Sequence, residues 1–239
     1  MLLHQQPCTI GMALFPRLTQ LDLAGPYEVF ARMPNTRVLL LAAAPEPVRS
    51  DRGLTITPDT TFDHAPPLDV LCVPGGPGVN ALMGDESFLA WLREQAQQAR
   101  YVTAVCTGAL LLGAAGLLRG YRATTHWLSL DLLPLFGAQP AEERVVIDRN
   151  RITGGGVTAG IDFGLVVAAQ LHDEATAREI QLTLEYDPAP PFTSGSPRTA
   201  DPALVAQARH AAQRMQHERR ELAERAAARL EHICLKETL

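Results

Sequence analysis

The 239-residue chain has few of the features that mark a metal, a membrane or a nucleic-acid partner. Its four cysteines, Cys8, Cys72, Cys106 and Cys234, form no CxxC and no Cys/His ligand spacing, which argues against structural zinc. No HExxH or similar pair is present, so no metal site is expected. Neither GxxxxGK[ST] nor GxGxxG occurs, which removes the usual phosphate cradles. Basic residues do not predominate: Lys+Arg number 21 against 26 Asp+Glu, a net charge of -5. Such a chain has no general attraction to phosphate, so nucleic-acid binding is not expected. The stretch Ala109 to Leu118 is too short and glycine-broken to span a bilayer. The opening MLLHQQP lacks a basic segment ahead of a long apolar one, so no signal peptide is expected. Reduced, scattered thiols then suit a cytoplasmic protein.

What is present is an ordinary globular composition, 46% apolar and 20% charged. Short apolar runs alternate with helical patterns, which favours an α/β fold. The runs Cys8 to Phe15, Arg37 to Ala44, Leu54 to Thr57, Val70 to Val73 and Tyr101 to Val105 read as strands. Val145 to Ile147 and Arg151 to Thr153 read as a hairpin about Asp148-Arg149-Asn150. Helices are expected from Gly25-Pro26, over Glu86 to Ala99 behind an Asp85 cap, and over Thr107 to Ala115. Further helices are expected over Trp127 to Leu135, Ala159 to Leu171 and Asp173 to Leu184. Asp187 to Pro202 holds five prolines and reads as irregular. Ala203 to Leu230 reads as one long helix with Leu204, Ala208, Ala211, Met215, Leu222, Ala226 and Leu230 near one face. That face packs either on the parent domain or on a second copy.

The sharpest local feature is Val102-Thr103-Ala104-Val105-Cys106-Thr107-Gly108-Ala109. A buried strand ends at Cys106 and a helix of small residues follows at once, the logic of a nucleophile elbow. In open α/β sheets ligands sit at the carboxyl ends of strands, where Cys106 would lie. Backbone N–H groups at that turn can stabilise a thiolate or a developing negative charge. Cys8 and Cys72, each inside an apolar strand, read instead as small buried hydrophobes. Cys234 lies in a polar tail.

Pro74-Gly75-Gly76-Pro77-Gly78 follows another strand and should reach the same sheet edge. Gly75 and Gly76 suggest either an oxyanion-type pocket or a plain tight turn. Asp22, between two leucines after the first strand, is either a buried proton donor with a raised pKa or the cap of a helix at Gly25-Pro26. His126, before Trp127, is either a thiol–imidazole partner for Cys106 or a satisfied structural group. Gly154, Gly155, Gly156 and Val157 precede a helix and either shape the cleft or allow close packing.

At these residues the chain resembles the ThiJ/PfpI superfamily, with the class I glutamine amidotransferase-like fold. Within it, QLDLAGPYEVF, PPLDVLCVPGG, VTAVCTGALLLGAAGLL, ATTHW, TGGGVTAGIDF and LEYDPAPPF with GSP resemble the isonitrile hydratase branch, over residues 8 to 230. CTGA and ATTHW also occur in the amidotransferase-like halves of AraC-type regulators. The resemblance implies a single-domain, three-layer α/β sandwich of flavodoxin-like type, its mostly parallel sheet flanked by helices. It implies a ThiJ/PfpI-like domain over 8–200 and a C-terminal helix over 203–231. It also implies a homodimer, no cofactor and a small-molecule isonitrile substrate, hydrated to an N-substituted formamide. Carried over by position, Cys106 matches the nucleophile, Asp22 the essential acid, and Thr107 the threonine after the cysteine. The superfamily more often has glutamate at the acid position; aspartate agrees with this branch. Members with peptidase-like or glyoxalase-like activity often carry histidine after the cysteine, where Thr107 stands.

Two rival readings follow from the same residues. One is another cysteine enzyme of the fold, a glyoxalase, deglycase or amidase-like hydrolase. The other is a non-catalytic thiol sensor. The regulators' DNA-binding module needs two helix-turn-helix motifs, and the segment after Pro202 reads as a single helix.

Overall fold

A seven-stranded sheet organises the chain, and its strand order decides where chemistry can occur. The structure, a computed structural model, describes the backbone of residues 7–237 and the side chains of 7–232. The leader expectation at Met1–Gln6 and the side chain of Cys234 lie outside these described residues.

The elements alternate in the sense expected for α/β. β1 (Cys8–Ala13) leads to α1 (Gln20–Phe30) and β2 (Thr36–Ala42). Three short strands follow, β3 (Val48–Arg49), β4 (Thr55–Ile56) and β5 (Thr60–Thr61). Then come β6 (Val70–Val73), α2 (Val79–Leu82), α3 (Glu86–Gln98), β7 (Tyr101–Val105) and α4 (Gly108–Ala114). The second half holds β8 (Arg122–Ala123), a 3-10 helix (Trp127–Phe136), β9 (Gln139–Pro140), β10 (Val145–Asp148) and β11 (Arg151–Gly154). α5 (Ala159–Leu171), α6 (Glu174–Thr183) and α7 (Pro202–Glu237) complete the described residues.

The sheet runs β10-β11-β7-β6-β1-β2-β5. All neighbours are parallel except the β10–β11 hairpin. Central strands are apolar along their length, and β6 (VLCV) is buried at every residue. That is the signature of a parallel strand covered on both faces. α1, α5 and α6 pack together on one side; α2, α3, α4, the 3-10 helix and α7 form the other. The chain therefore has the single-domain, mostly parallel, helix-flanked sheet expected for it. From β1 the chain crosses outward to β2 on one side, whereas β6 lies on its other side. The carboxyl ends of β1 and β6 thus flank a topological switch point, where open α/β sheets hold ligands.

Three elements differ from their expected form. α1 starts at Gln20 rather than at Gly25-Pro26, so Asp22 lies in its first turn and Pro26 inside it. Proline lacks the N–H that a helix interior uses. Here packing overrides that cost, because α1 meets α5 through small residues. A Cβ on Gly160 would stand 2.9 Å from Pro26 Cδ, and one on Gly164 would stand 3.0 Å from Val29 Cβ. The segment from Trp127 is a 3-10 helix rather than an ordinary helix, with Pro134 within it. α7 is buried through Arg219, Ala223, Ala226 and Leu230, against α2, α4 and the 3-10 helix. Leu204, expected on its apolar face, is 46% exposed. The apolar seam therefore covers only the second half of that helix.

The α1–α5 contact sets the position of Asp22, so its loosening is measurable. Gly160→Val should lower stability by about 1–3 kcal/mol through overpacking. The expected result is a lower urea midpoint at unchanged slope; an unchanged midpoint would show that α5 can move away freely.

Candidate active site

β7 delivers Cys106 to the sheet edge and α4 begins two residues later. Cys106 has φ +55°, in the left-handed region that non-glycine residues seldom occupy. Two hydrogen bonds hold it there: its N–H donates to Gly154 O at 3.0 Å, and Thr125 Oγ1 donates to its carbonyl at 2.7 Å. Gly108 is required behind it, because a Cβ there would overlap Val73 O of β6. The sharp turn thus follows from β6, β7 and β11 gripping one short segment. The Cys106 side chain is almost wholly buried, at 4% exposure.

The loop after β6 reaches the same point. Gly75 N–H donates to Asp22 Oδ2 at 3.0 Å, and Gly76 N–H donates to Thr107 Oγ1 at 2.9 Å. A Cβ on Gly75 would lie 2.5 Å from Thr107 N and 2.8 Å from Asp22 Oδ2, so only glycine admits this approach. Of the two readings of Gly75 and Gly76, an oxyanion-type pocket or a tight turn, these bonds favour the turn: both N–H groups already have protein acceptors. Their work is to hold the acid and Thr107. The Thr107 hydroxyl is engaged by the same loop. That oxygen accepts from Gly76, and its own O–H lies 3.4 Å from Gly76 O, a long contact. The Thr107 backbone N–H, next along the chain, favours the thiolate form of Cys106.

Asp22 is fully buried. It is not the cap of a later helix, since it lies inside α1. Burial pushes its pKa up to about 7, while bonding to Cys106 and to Gly75 N–H holds it from rising further. Its second oxygen, Oδ1, is buried with no hydrogen-bond partner of ordinary geometry among the described residues. Burial also pushes the Cys106 thiol well above its ordinary value, and the Asp22 charge adds to this. The two groups thus share protons as a pair. Burial pushes the Cys8 and Cys72 thiols up to about 11 and about 12, the Asp22 charge adding at Cys72, so both stay protonated.

The remaining expected residues line up less directly. His126 makes no hydrogen bond to Cys106; it caps the 3-10 helix, its Nδ1 accepting from Leu128 N–H at 3.3 Å. Burial lowers its pKa, so it is a neutral ring with its proton on Nε2. The thiol–imidazole reading is corrected accordingly. Gly155 N–H donates to Arg144 O at 2.9 Å, so it too has no free donor for substrate. Val157 is half-buried against the core. Arg144 in turn bonds Asp162 and the Thr158 carbonyl, and Tyr186 O–H donates to Asp162. This network pins the glycine segment beside β11, and Tyr186 of the LEYDP run belongs to it. No group of three or more His, Cys, Asp or Glu able to hold a metal ion occurs among the described residues. A cavity of about 690 Å³ lies elsewhere, at the ends of β1 and β2, lined by Phe15, Phe62, Phe88 and Trp91 and by none of these site residues.

Sequence reasoning did not single out Thr125 for Cys106 or Arg219 of α7. Thr125 sits in the quoted ATTHW run, so its signal was present but carried no partner. Arg219 lies in a run of charges in which nothing marks it as buried.

Comparisons with known proteins bear on the family and the fold. A model of the DJ-1/PfpI family matches residues 9–170. The chain is 57% identical over 221 residues to "Isonitrile hydratase" of Pseudomonas putida, covering 92% of this chain and 97% of that protein. It is 34% identical over 198 residues to the "HTH-type transcriptional regulator GbdR" of Pseudomonas aeruginosa, covering 77% of this chain and 52% of the regulator. The crystal structure of a ThiJ/PfpI family protein from Pseudomonas syringae superposes with a TM-score of 0.88 at 45% identity, covering 90% of each chain.

The raised Asp22 pKa has a stability consequence. The folded protein binds a proton that the unfolded chain has released between pH 3.8 and about 7. Stability from this group is therefore full below pH 3.8 and is lost as pH rises through about 7. Asp22→Asn, which cannot ionise, should melt higher than wild type at pH 8, with the gap closing towards pH 4. A gap independent of pH would show that Asp22 ionises normally in the fold.

Proposed function

The chain belongs to the DJ-1/PfpI family, and we propose that within it the protein is an isonitrile hydratase. The observation that carries the reading is a buried acid, protonatable near neutrality, against a buried cysteine at the carboxyl edge of the sheet. The 57% identity to the Pseudomonas putida hydratase over nearly both chains supports it.

The reaction needs a nucleophile and a proton at one carbon. The terminal carbon of R–N≡C accepts an electron pair and then holds one of its own. The Cys106 thiol passes its proton to Asp22, and the sulfur attacks that carbon, forming the S–C bond. Asp22 delivers the proton to the same carbon, giving the thioimidate R–N=CH–S. As carboxylate it then takes a proton from water, and the water oxygen adds to the thioimidate carbon. That proton goes to nitrogen, the C–S bond breaks, and the remaining hydroxyl proton returns to the Cys106–Asp22 pair as the carbonyl forms. The product is R–NH–CHO, and the pair has its single proton back. A carboxyl with a pKa of about 7 suits both halves, being able to give and take a proton at neutral pH. The Thr107 N–H steadies the sulfur while it carries charge, both before attack and on departure.

Gly75 and Gly76 serve this scheme by position. Gly75 N–H orients Asp22, leaving Oδ1 as the oxygen that meets substrate and water. The three described cysteines are free thiols, which suits a reducing cytosol. No helix among the described residues is long and apolar enough to cross a membrane. The enzyme works as a homodimer in this reading, supported by the exposed Leu204 on an otherwise unburied stretch of α7. Light scattering should then give twice the chain mass, and a monomer at assay concentration would remove this element.

The functional test is formamide production from cyclohexyl isonitrile. Wild type should form product, and Cys106→Ala and Cys106→Ser should lose at least about a thousandfold, the scale of removing a nucleophile. Appreciable hydration by Cys106→Ser would refute the covalent route. Methylglyoxal serves as the parallel substrate; turnover of it alone would replace the hydratase reading with the glyoxalase one.

A further inference from the structure

α7 inserts an arginine into the protein interior with no acidic partner. Arg219 is 2% exposed. Its Nε donates to Asn80 Oδ1 at 2.8 Å and its Nη1 to Ser129 Oγ at 3.0 Å. Nη2 lies 3.9 Å from Met215 Sδ. All three partners are neutral, and no ion pair of Arg219 exists among the described residues. A buried cation is costly unless an anion balances it. The partners show where that anion lies. Asn80 belongs to α2, which continues the Gly75–Gly78 loop, and Ser129 follows His126 on the segment whose Thr125 holds the Cys106 carbonyl. Arg219 therefore joins two walls of the site, and its charge is felt at Cys106 and at His126.

We propose that Arg219 is the counter-charge of the Cys106 sulfur, a positioning residue that keeps the anion formed there stable inside the protein. When the thiol gives its proton to Asp22 the negative charge moves to sulfur, and Arg219 supplies the positive charge that acts there. The same charge favours the sulfur anion that attacks and that later leaves. This rests on Cys106 being the nucleophile of the proposed reaction. It adds a functional group from a helix beyond residues 9–170, the span matched by the family model.

Other titratable groups around the pair are few. α1 brings Asp22, on which the Asp51 charge acts, and β6 brings the buried Cys72 thiol, on which Asp22 acts. The 3-10 helix brings neutral His126 and, at the surface, Asp131 paired with Arg220. α7 adds Glu218 next to Arg219, and its charge acts on the guanidinium. α2 (VNAL) and α4 (GALLLGA) carry no charged side chain.

The test is the pH dependence of iodoacetamide alkylation at Cys106, followed on its peptide by mass spectrometry. Alkylation needs thiolate but no isonitrile, so it succeeds or fails independently of hydratase activity. Arg219→Met and Arg219→Gln should both move the midpoint up by about one pH unit, and so slow alkylation about tenfold at pH 7. Arg219→Gln keeps an amide donor at the position, so it reports if the methionine variant fails to fold. Arg219→Lys should stay within about twofold of wild type, because it keeps the charge. A folded Arg219→Gln with the wild-type profile would overturn the proposal. So would Arg219→Lys shifting as far as Arg219→Gln, which would make the residue a matter of packing alone.

Discussion

The structure turns on one buried carboxyl. Asp22 is taken out of water by α1, where ionisation becomes expensive, and one backbone N–H, that of Gly75, holds one of its oxygens. The site around it is arranged so that this cost is useful. In the proposed reaction the carboxyl can take and release a proton near neutrality, and the thiol beside it is the group that gives one up. α1 can bury the carboxyl because it packs on α5 through glycines, with Pro26 inside the helix. Helix packing on one face of the sheet therefore sets the proton chemistry at its edge.

Glycine acts here mainly as a vacancy for neighbours. Gly75 admits Thr107 and Asp22 together; Gly108 lets α4 start against β6. Gly75 leaves no donor open to substrate, because its N–H is held by Asp22. The N–H groups of Gly75, Gly76 and Gly155 are spent on holding Asp22, Thr107 and the β11 segment in place. The charge on sulfur is left to the Thr107 N–H and to a cation from α7.

Much of this was legible in the sequence, for identifiable reasons. A continuous apolar run ending in Cys106-Thr107-Gly108 can do little but end a buried strand and turn. The α/β alternation was equally plain, because buried parallel strands are uniformly apolar and the helices between them are not. The start of α1 was not legible: Gly25-Pro26 carries a strong local signal for a helix opening, and only the tertiary contact with Gly160 outweighs it. The Gly75-Gly76 loop showed that something approaches the backbone closely, but not which groups do. His126 looked like a partner for sulfur by residue type, whereas its ring is committed to a helix cap. Arg219 was invisible, because Glu218, Arg219 and Arg220 are alike in type and only the first turn of the α7 seam buries one of them.

Burial of that arginine makes sense only as part of a charge balance. A guanidinium held by Asn80, Ser129 and a thioether has lost most of its hydration and gained neutral dipoles in exchange. Neutral partners rarely recover the several kcal/mol that such a transfer costs. The pair of Asp22 and Cys106 has the complementary problem, a buried negative charge with few donors. Placing the two problems in one interior lets each offset the other, at the price of making the site depend on α7. A chain with the same elbow and acid but another C-terminal segment would hold the same two side chains in a different field. That is a physical reason for members of one fold to run different chemistry from a common cysteine.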